Sequence, residues 1–251
     1  EICACLVGSE MCIRDRGSCV ALVGIFVNLI VGFSVGPNAV LANLIGQKRR
    51  DKINRMLHTI MAFGLIAGVI LMGLGMLSAK PILEVSGTPE SVMNEALLYI
   101  RIYFIGIPFM MIYNFGSAVL RSFGDTRRPM YYLILSGTVN VILNLILVIY
   151  FKLGVAGVAI ATVISNILSA GLVLIYLYRR EDEFQFRPQR LHIEKEDLKK
   201  VLVIGIPAGI QGAIFSISNV FIQSGINSFG EDAIAGSSPV SYTHLTLPTN
   251  S

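Results

Sequence analysis

Long apolar runs alternate with short charged stretches along almost the whole chain. Six runs stand out, at roughly 20–46, 57–79, 96–119, 130–151, 154–178 and 201–227. A helix of about 20 residues crosses the roughly 30 Å of bilayer hydrocarbon, so each run is long enough to span. A large soluble core can be this apolar in places, but not in six successive stretches. The pattern predicts an all-α integral membrane protein with six transmembrane helices. Gly24, Gly32, Gly36 and Pro37 interrupt the first run, which neighbouring helices tolerate by satisfying freed backbone groups. The small residues of Gly154 to Gly171 favour close helix approach.

Composition agrees: 54% of residues are hydrophobic and 14% charged, against about 25% charged in an average soluble domain. The placement of charge then sets an orientation. The stretches 48–55, 121–128 and 179–200 hold fifteen basic residues, whereas the alternate loops hold Lys80 and Lys152 alone. This asymmetry places the basic loops in the cytoplasm, and only an even alternation of spans produces it. LRSFGDTRRPMYY (Leu120 to Tyr132) reads as a tight turn between two antiparallel spans. Gly124 and Asp125 suit the turn, and Pro129 suits the first turn of the next helix. Its charges anchor topology and require no nucleic acid. The longest connection, 179–200, carries Phe184, Phe186, Leu191, Ile193 and Leu198 among many charges. It reads either as a segment along the membrane surface or as a solvated linker, and as a boundary between lobes.

The two ends follow a different logic. All four cysteines lie before residue 20, which invites a disulfide or metal reading. Met11–Asp15, however, can be written ATG TGT ATA AGA GAC, whose reverse complement encodes Val-Ser-Tyr-Thr-His, the residues at 240–244. One inverted DNA repeat thus encodes both strings. CLVGSEMCIRDR (Cys5 to Arg16) and PVSYTHLTLPTN (Pro239 to Asn250) resemble translated sequencing adapters. Residues 1–16 and 239–251 are therefore expected to be adapter-derived, without helix periodicity, and the cysteines carry no information on redox compartment.

No Asp or Glu falls inside the six runs, and Arg101 is the single basic residue within one. It is placed to snorkel to the outer interface. His58 begins the second run and reads as interfacial. No HExxH, GxSxG, P-loop or cysteine pair assembles a nucleophile, base and oxyanion site, so no enzyme is expected. Uncharged polar residues do recur at helical spacing. Asn140 and Asn144 share one face, Thr162, Ser165, Asn166 and Ser169 mark the next span, and Gln211, Ser216, Ser218, Asn219 and Gln223 stud the last. Such oxygens suit a small cation or a polar substrate, or hydrogen bonding between helices worth about 0.6 kcal/mol each.

LRSFGDTRRP (Leu120 to Pro129), VNVILNLILV (Val139 to Val148), GVAGVAIATVIS (Gly154 to Ser165) and GIPAGIQ (Gly205 to Gln211) resemble the multidrug and toxic compound extrusion (MATE) family. YIRIYFIGIPF (Tyr99 to Phe109) and GQKRRDKINRMLHT (Gly46 to Thr59) fit the same pattern. The resemblance covers nearly all of 17–238. It implies two six-helix lobes of which this chain holds the second to seventh helices: first-lobe helices at 17–178, an interlobe loop at 179–200, and the first helix of the second lobe at 201–238. It further implies a multi-pass plasma-membrane protein, monomeric at full length. Such a protein exchanges Na⁺ or H⁺ for a drug-like, often cationic compound, with no other cofactor or metal.

By that resemblance Asn140 and Thr162 match residues of a first-lobe cation site, and Asn144 stands where an Asp is expected. An acid on a preceding helix completes the set. In another branch an acid occurs where Ser216 stands here. Gln211, Ser216 and Asn219 are then candidates for lining the substrate cavity. The alternatives are a lipid-linked oligosaccharide flippase of the same superfamily, which calls for a basic cavity, and a structural or channel module.

Overall fold

Each charged break in the pattern ends a helix, because within lipid a backbone must satisfy its own hydrogen bonds until the chain reaches water. A computed structural model describes residues 10–85, 90–180, 185–187 and 193–228. Among them run seven α-helices: α1 (Glu10–Gly46), α2 (Arg50–Val85), α3 (Glu90–Ile105), α4 (Ile107–Ser122), α5 (Arg127–Leu145), α6 (Gly154–Arg179) and α7 (Lys195–Ser228). A π-helical turn, Ile146–Tyr150, extends α5. Five spans are single helices, and α3 with α4 makes the sixth as one span bent by 41°. All six predicted spans are present.

The bend corrects the reading of 96–119 as one straight helix. Pro108 has no N–H to give and its ring crowds the carbonyl four residues earlier. The chain tightens ahead of it, the Gly106 N–H bonding Tyr103 O at 2.9 Å, and then restarts in a new direction. The turn at 121–128 forms as its residues suggest. Gly124 takes φ +82°, the left-handed region open to glycine. Asp125 Oδ1 accepts the Arg128 N–H at 3.2 Å, and its Oδ2 accepts from Arg128 Nη1 at 2.9 Å. Arg128 also donates to the Tyr176 hydroxyl. The knot of charge satisfies itself and ties α5 to α6.

At the chain start, α1 runs through residues 10–16, for which no helix was expected. Extending an existing helix adds one hydrogen bond per residue fixed, without the nucleation cost. Residues 1–9 and 229–251, including the string at 239–250, lie outside the described part.

The core forms around α4, which packs on α1, α2 and α6. Ile107, Met111, Phe115, Val119 and Leu120 are fully or almost fully buried. Glycines on α2 make the room: Gly64 faces the Phe115 ring, and a Cβ on Gly68 would lie 2.7 Å from Pro108 Cα.

The most extensive helix pairing joins the distant α1 and α7. A Cβ on Gly32 would sit 2.5 Å from both Ala208 O and Gly209 Cα, and one on Gly36 would strike Val201 O. Gly32 and Gly36 face Gly205 and Gly209, a spacing of four on each helix, so the backbones touch directly. With no hydrophobic force between helices in lipid, such close packing is what holds them.

The connection between α6 and α7 corrects two expectations. Phe186 is buried, not spread along a membrane surface, and stacks on the His58 ring with centroids 5.5 Å apart. His58 is itself buried. Phe184 and Leu191 lie outside the described residues.

Candidate functional site

The polar residues of α5 and α6 meet in one chain of hydrogen bonds. Asn140 and Asn144 lie one turn apart, and Asn144 Nδ2 donates to Asn140 Oδ1 at 3.0 Å. Asn140 Nδ2 then donates across to α6, to Ser165 Oγ at 3.3 Å and Thr162 Oγ1 at 3.5 Å. Both hydroxyl protons are already committed to the backbone of α6: Thr162 donates to Val158 O at 2.9 Å and Ser165 to Thr162 O at 2.8 Å. The hydroxyl lone pairs therefore face Asn140, which turns its amide nitrogen toward α6 and its oxygen toward Asn144.

The consequence falls on the last member. The side-chain donors run one way, from Asn144 to Asn140 and from Asn140 to α6, so Asn144 Oδ1 stands at the open end. It is buried and has no hydrogen-bond partner among the described residues. An unpaired buried carbonyl is costly, about 1–3 kcal/mol, and calls for a donor or a cation. The backbone yields at the same place, since the π-helical turn begins at Ile146. Such turns occur frequently at functional sites.

The surroundings of this pair are sparse. In α5, Pro129 and Ser136 alone are fully buried, and the helix packs chiefly on α6. Leu133, Ile134, Val141 and Ile142 are more than 48% exposed, a face suited to lipid. The site thus lies between two neighbouring spans, with uncharged oxygens and no carboxylate of its own. Such a set orients a cation or a proton donor, and the balancing charge comes from elsewhere.

Asn140, Asn144 and Thr162 are thus brought together, and Ser165, marked by its spacing but not by the family resemblance, joins them. The α7 candidates lie elsewhere. Gln211 is exposed. Ser216 is buried in the α1–α7 contact, where it accepts from Asn28 Nδ2 at 2.6 Å and donates to Gly24 O at 3.4 Å. The Asn219 side chain lies outside the described residues. Asn28 escaped the sequence reading; its signal was a lone amide in an otherwise apolar stretch.

Six apolar spans, one broken at a glycine-proline pair, with a polar cluster between two of them, define a multi-pass α-helical membrane protein. The MatE family profile matches residues 17–146, and the chain belongs to that family. It is 32% identical over 218 residues to the probable multidrug resistance protein YoeA of Bacillus subtilis (strain 168), covering 84% of this chain and 47% of that protein. To YpnP of the same organism, also a probable multidrug resistance protein, it is 31% identical over 234 residues, covering 91% and 52%. The chain spans about half the length of the curated relatives it matches. Among solved structures, a MOP superfamily transporter from Pyrococcus furiosus superposes with a TM-score of 0.87 at 22% identity, over 97% of this chain and 54% of the other. A MATE structure in complex with MaD3S gives 0.84 at 23% identity, over 93% and 53%. These likenesses establish the fold.

Proposed function

We propose that this chain forms most of the first lobe, and the first helix of the second, of a secondary transporter. The transporter exports drug-like organic compounds in exchange for Na⁺ or H⁺. In this reading Asn140, Asn144 and Thr162 line the first-lobe cation pocket, the basic loops face the cytoplasm, and the transporter works as a monomer in the plasma membrane. The names of YoeA and YpnP as probable multidrug resistance proteins support the substrate class.

The observation that carries the reading is the unpaired Asn144 Oδ1 at the end of a one-way hydrogen-bond chain. A Na⁺ ion satisfies it by taking the oxygen as a ligand in place of water. A protonated carboxyl group satisfies it by donating a hydrogen bond. Both need an acid from a preceding helix, which the family resemblance implies. Asn144 cannot titrate, so a coupled proton resides on that acid, and Na⁺ is the favoured ion.

The test is transport by the full-length protein in proteoliposomes, with a fluorescent organic cation and an imposed gradient of Na⁺ or H⁺ in turn. Dye movement against its own gradient, driven by one of the two ions, is expected. Dye movement that ignores both gradients, or none at all in active-fold protein, contradicts the proposal.

A further inference from the structure

Arg55, His58 and Thr59 lie at i, i+3 and i+4 and share one face of α2. Each holds a different point of the chain that leads from α6 into α7. Arg55 Nε donates to Asp197 Oδ2 at 3.0 Å, and Lys200 Nζ approaches Asp197 Oδ1 at 3.3 Å. The Asp197 side chain is 2% exposed, whereas that of Arg55 is 43% exposed. The His58 ring has a fixed role: Nδ1–H donates to Asn54 O at 2.8 Å, which leaves Nε2 to accept the Arg187 N–H at 3.1 Å. Phe186 stacks on that ring, and its own N–H bonds Leu177 O of α6 at 3.0 Å. Thr59 Oγ1 accepts the Glu194 N–H at 3.3 Å.

We propose that this face of α2 is a latch, holding the interlobe connection and the start of α7 against the first lobe and closing the basic side of the transporter in one conformation. The inference rests on the two-lobe transporter reading above. Three features make it a latch and not a permanent joint. The contacts are few and discrete, and all but the Phe186–His58 stack are polar. α7 packs along α1 through the glycine seam but only lightly on α2. And Arg55 is half in water, so its charge is resolvated when the pair separates. Lobes that rock about a central site need contacts that exist in one state and not the other. These contacts join the first lobe to the connection and to the first helix of the second.

The test uses the full-length protein in a cysteine-free background. In Arg55→Cys/Asp197→Cys, a short bis-methanethiosulfonate linker forms a disulfide to each cysteine, releasing methanesulfinate, and locks α2 to α7. Locking is expected to lower dye efflux about tenfold or more, and reduction to restore it. Undiminished efflux after complete linking overturns the proposal. A second readout does not depend on transport: spin labels at Lys52 and Lys199 report the separation of the two helices. Arg55→Asp is expected to raise the separated population roughly tenfold, as loss of a buried carboxylate's partner implies, and Arg55→Asp/Asp197→Arg to bring it back toward the parent. Equal populations in all three proteins overturn the latch. If the parent moves no dye under any gradient but the label distances behave as stated, the transport reading fails and the latch stands.

Discussion

The α1–α7 seam and the α5–α6 pair are both contacts between membrane helices, but they are built on opposite terms. The seam is backbone against backbone: Gly32 and Gly36 face Gly205 and Gly209, and a Cβ on Gly32 or Gly36 would strike the α7 backbone. Its polar content among the described residues centres on Ser216, which accepts from Asn28 and donates to Gly24 O. The α5–α6 pair instead concentrates four polar side chains in one directional network and leaves an acceptor bare at its end. One region is finished by packing. The other leaves one acceptor unmet among the described residues. Close packing and a partly unmet polar network thus fall on different helix pairs.

The comparison breaks most readily at the seam. Gly36→Leu drives a side chain into the Val201 carbonyl, and the helices must separate. Overpacking of this kind costs about 1–3 kcal/mol or more, read as a large fall in thermal stability in detergent. Gly171→Ala is the control, since nothing lies within 4 Å of a Cβ there; it is expected to leave stability unchanged or to raise it by about 0.5–1 kcal/mol.

A smaller effect is expected at the basic end. Arg55→Ala leaves Asp197 buried with Lys200 as its remaining partner, and a loss of about 1–3 kcal/mol follows from an under-satisfied buried carboxylate. Thermal unfolding of the two proteins side by side checks it. An unchanged midpoint places that pair among the surface contacts that contribute nothing.

The smallest effect sharpens the contrast. Ser216→Ala removes both of its hydrogen bonds across the seam, to Asn28 and to Gly24 O, yet Asn28 keeps Gly24 O at 3.1 Å. About 0.6 kcal/mol is the typical value of such a bond in a membrane. A loss several times larger shows that polarity, and not glycine packing, holds α1 to α7.

Much of this was legible from the chain, for a physical reason: lipid imposes length and composition on every span. The turn at Gly124 and Asp125 was equally plain, since few residues suit a left-handed backbone beside a helix start. The break at Gly106 was hidden, because hydropathy records what faces lipid and not the direction of the axis; Pro108 was the available signal. The seam was hidden differently. Spacing shows that Gly32 and Gly36 share a face but does not name Gly205 and Gly209 as partners. His58 and Phe186 misled because a charged connection reads as surface, although Phe186, Arg187 and Glu194 of that connection contact α2. At the site, the Asn140–Asn144 spacing showed a shared face and the family resemblance supplied Thr162. The orphaned oxygen of Asn144 depends on which way each amide turns, which only the hydroxyl bonds of Thr162 and Ser165 decide.

The central claim is that Asn144 serves binding and not packing, and the ion dependence of efflux by full-length Asn144→Leu and Asn144→Asp proteins tests it most directly. Asn144→Leu removes the unpaired acceptor together with the donor to Asn140 Oδ1, and it is expected to insert into the membrane while losing cation-driven efflux. Asn144→Asp introduces a group that titrates, and efflux is expected to depend more steeply on pH than in the parent. If the kinetics and ion dependence of both variants match the parent, the polar chain of α5 and α6 is helix packing alone.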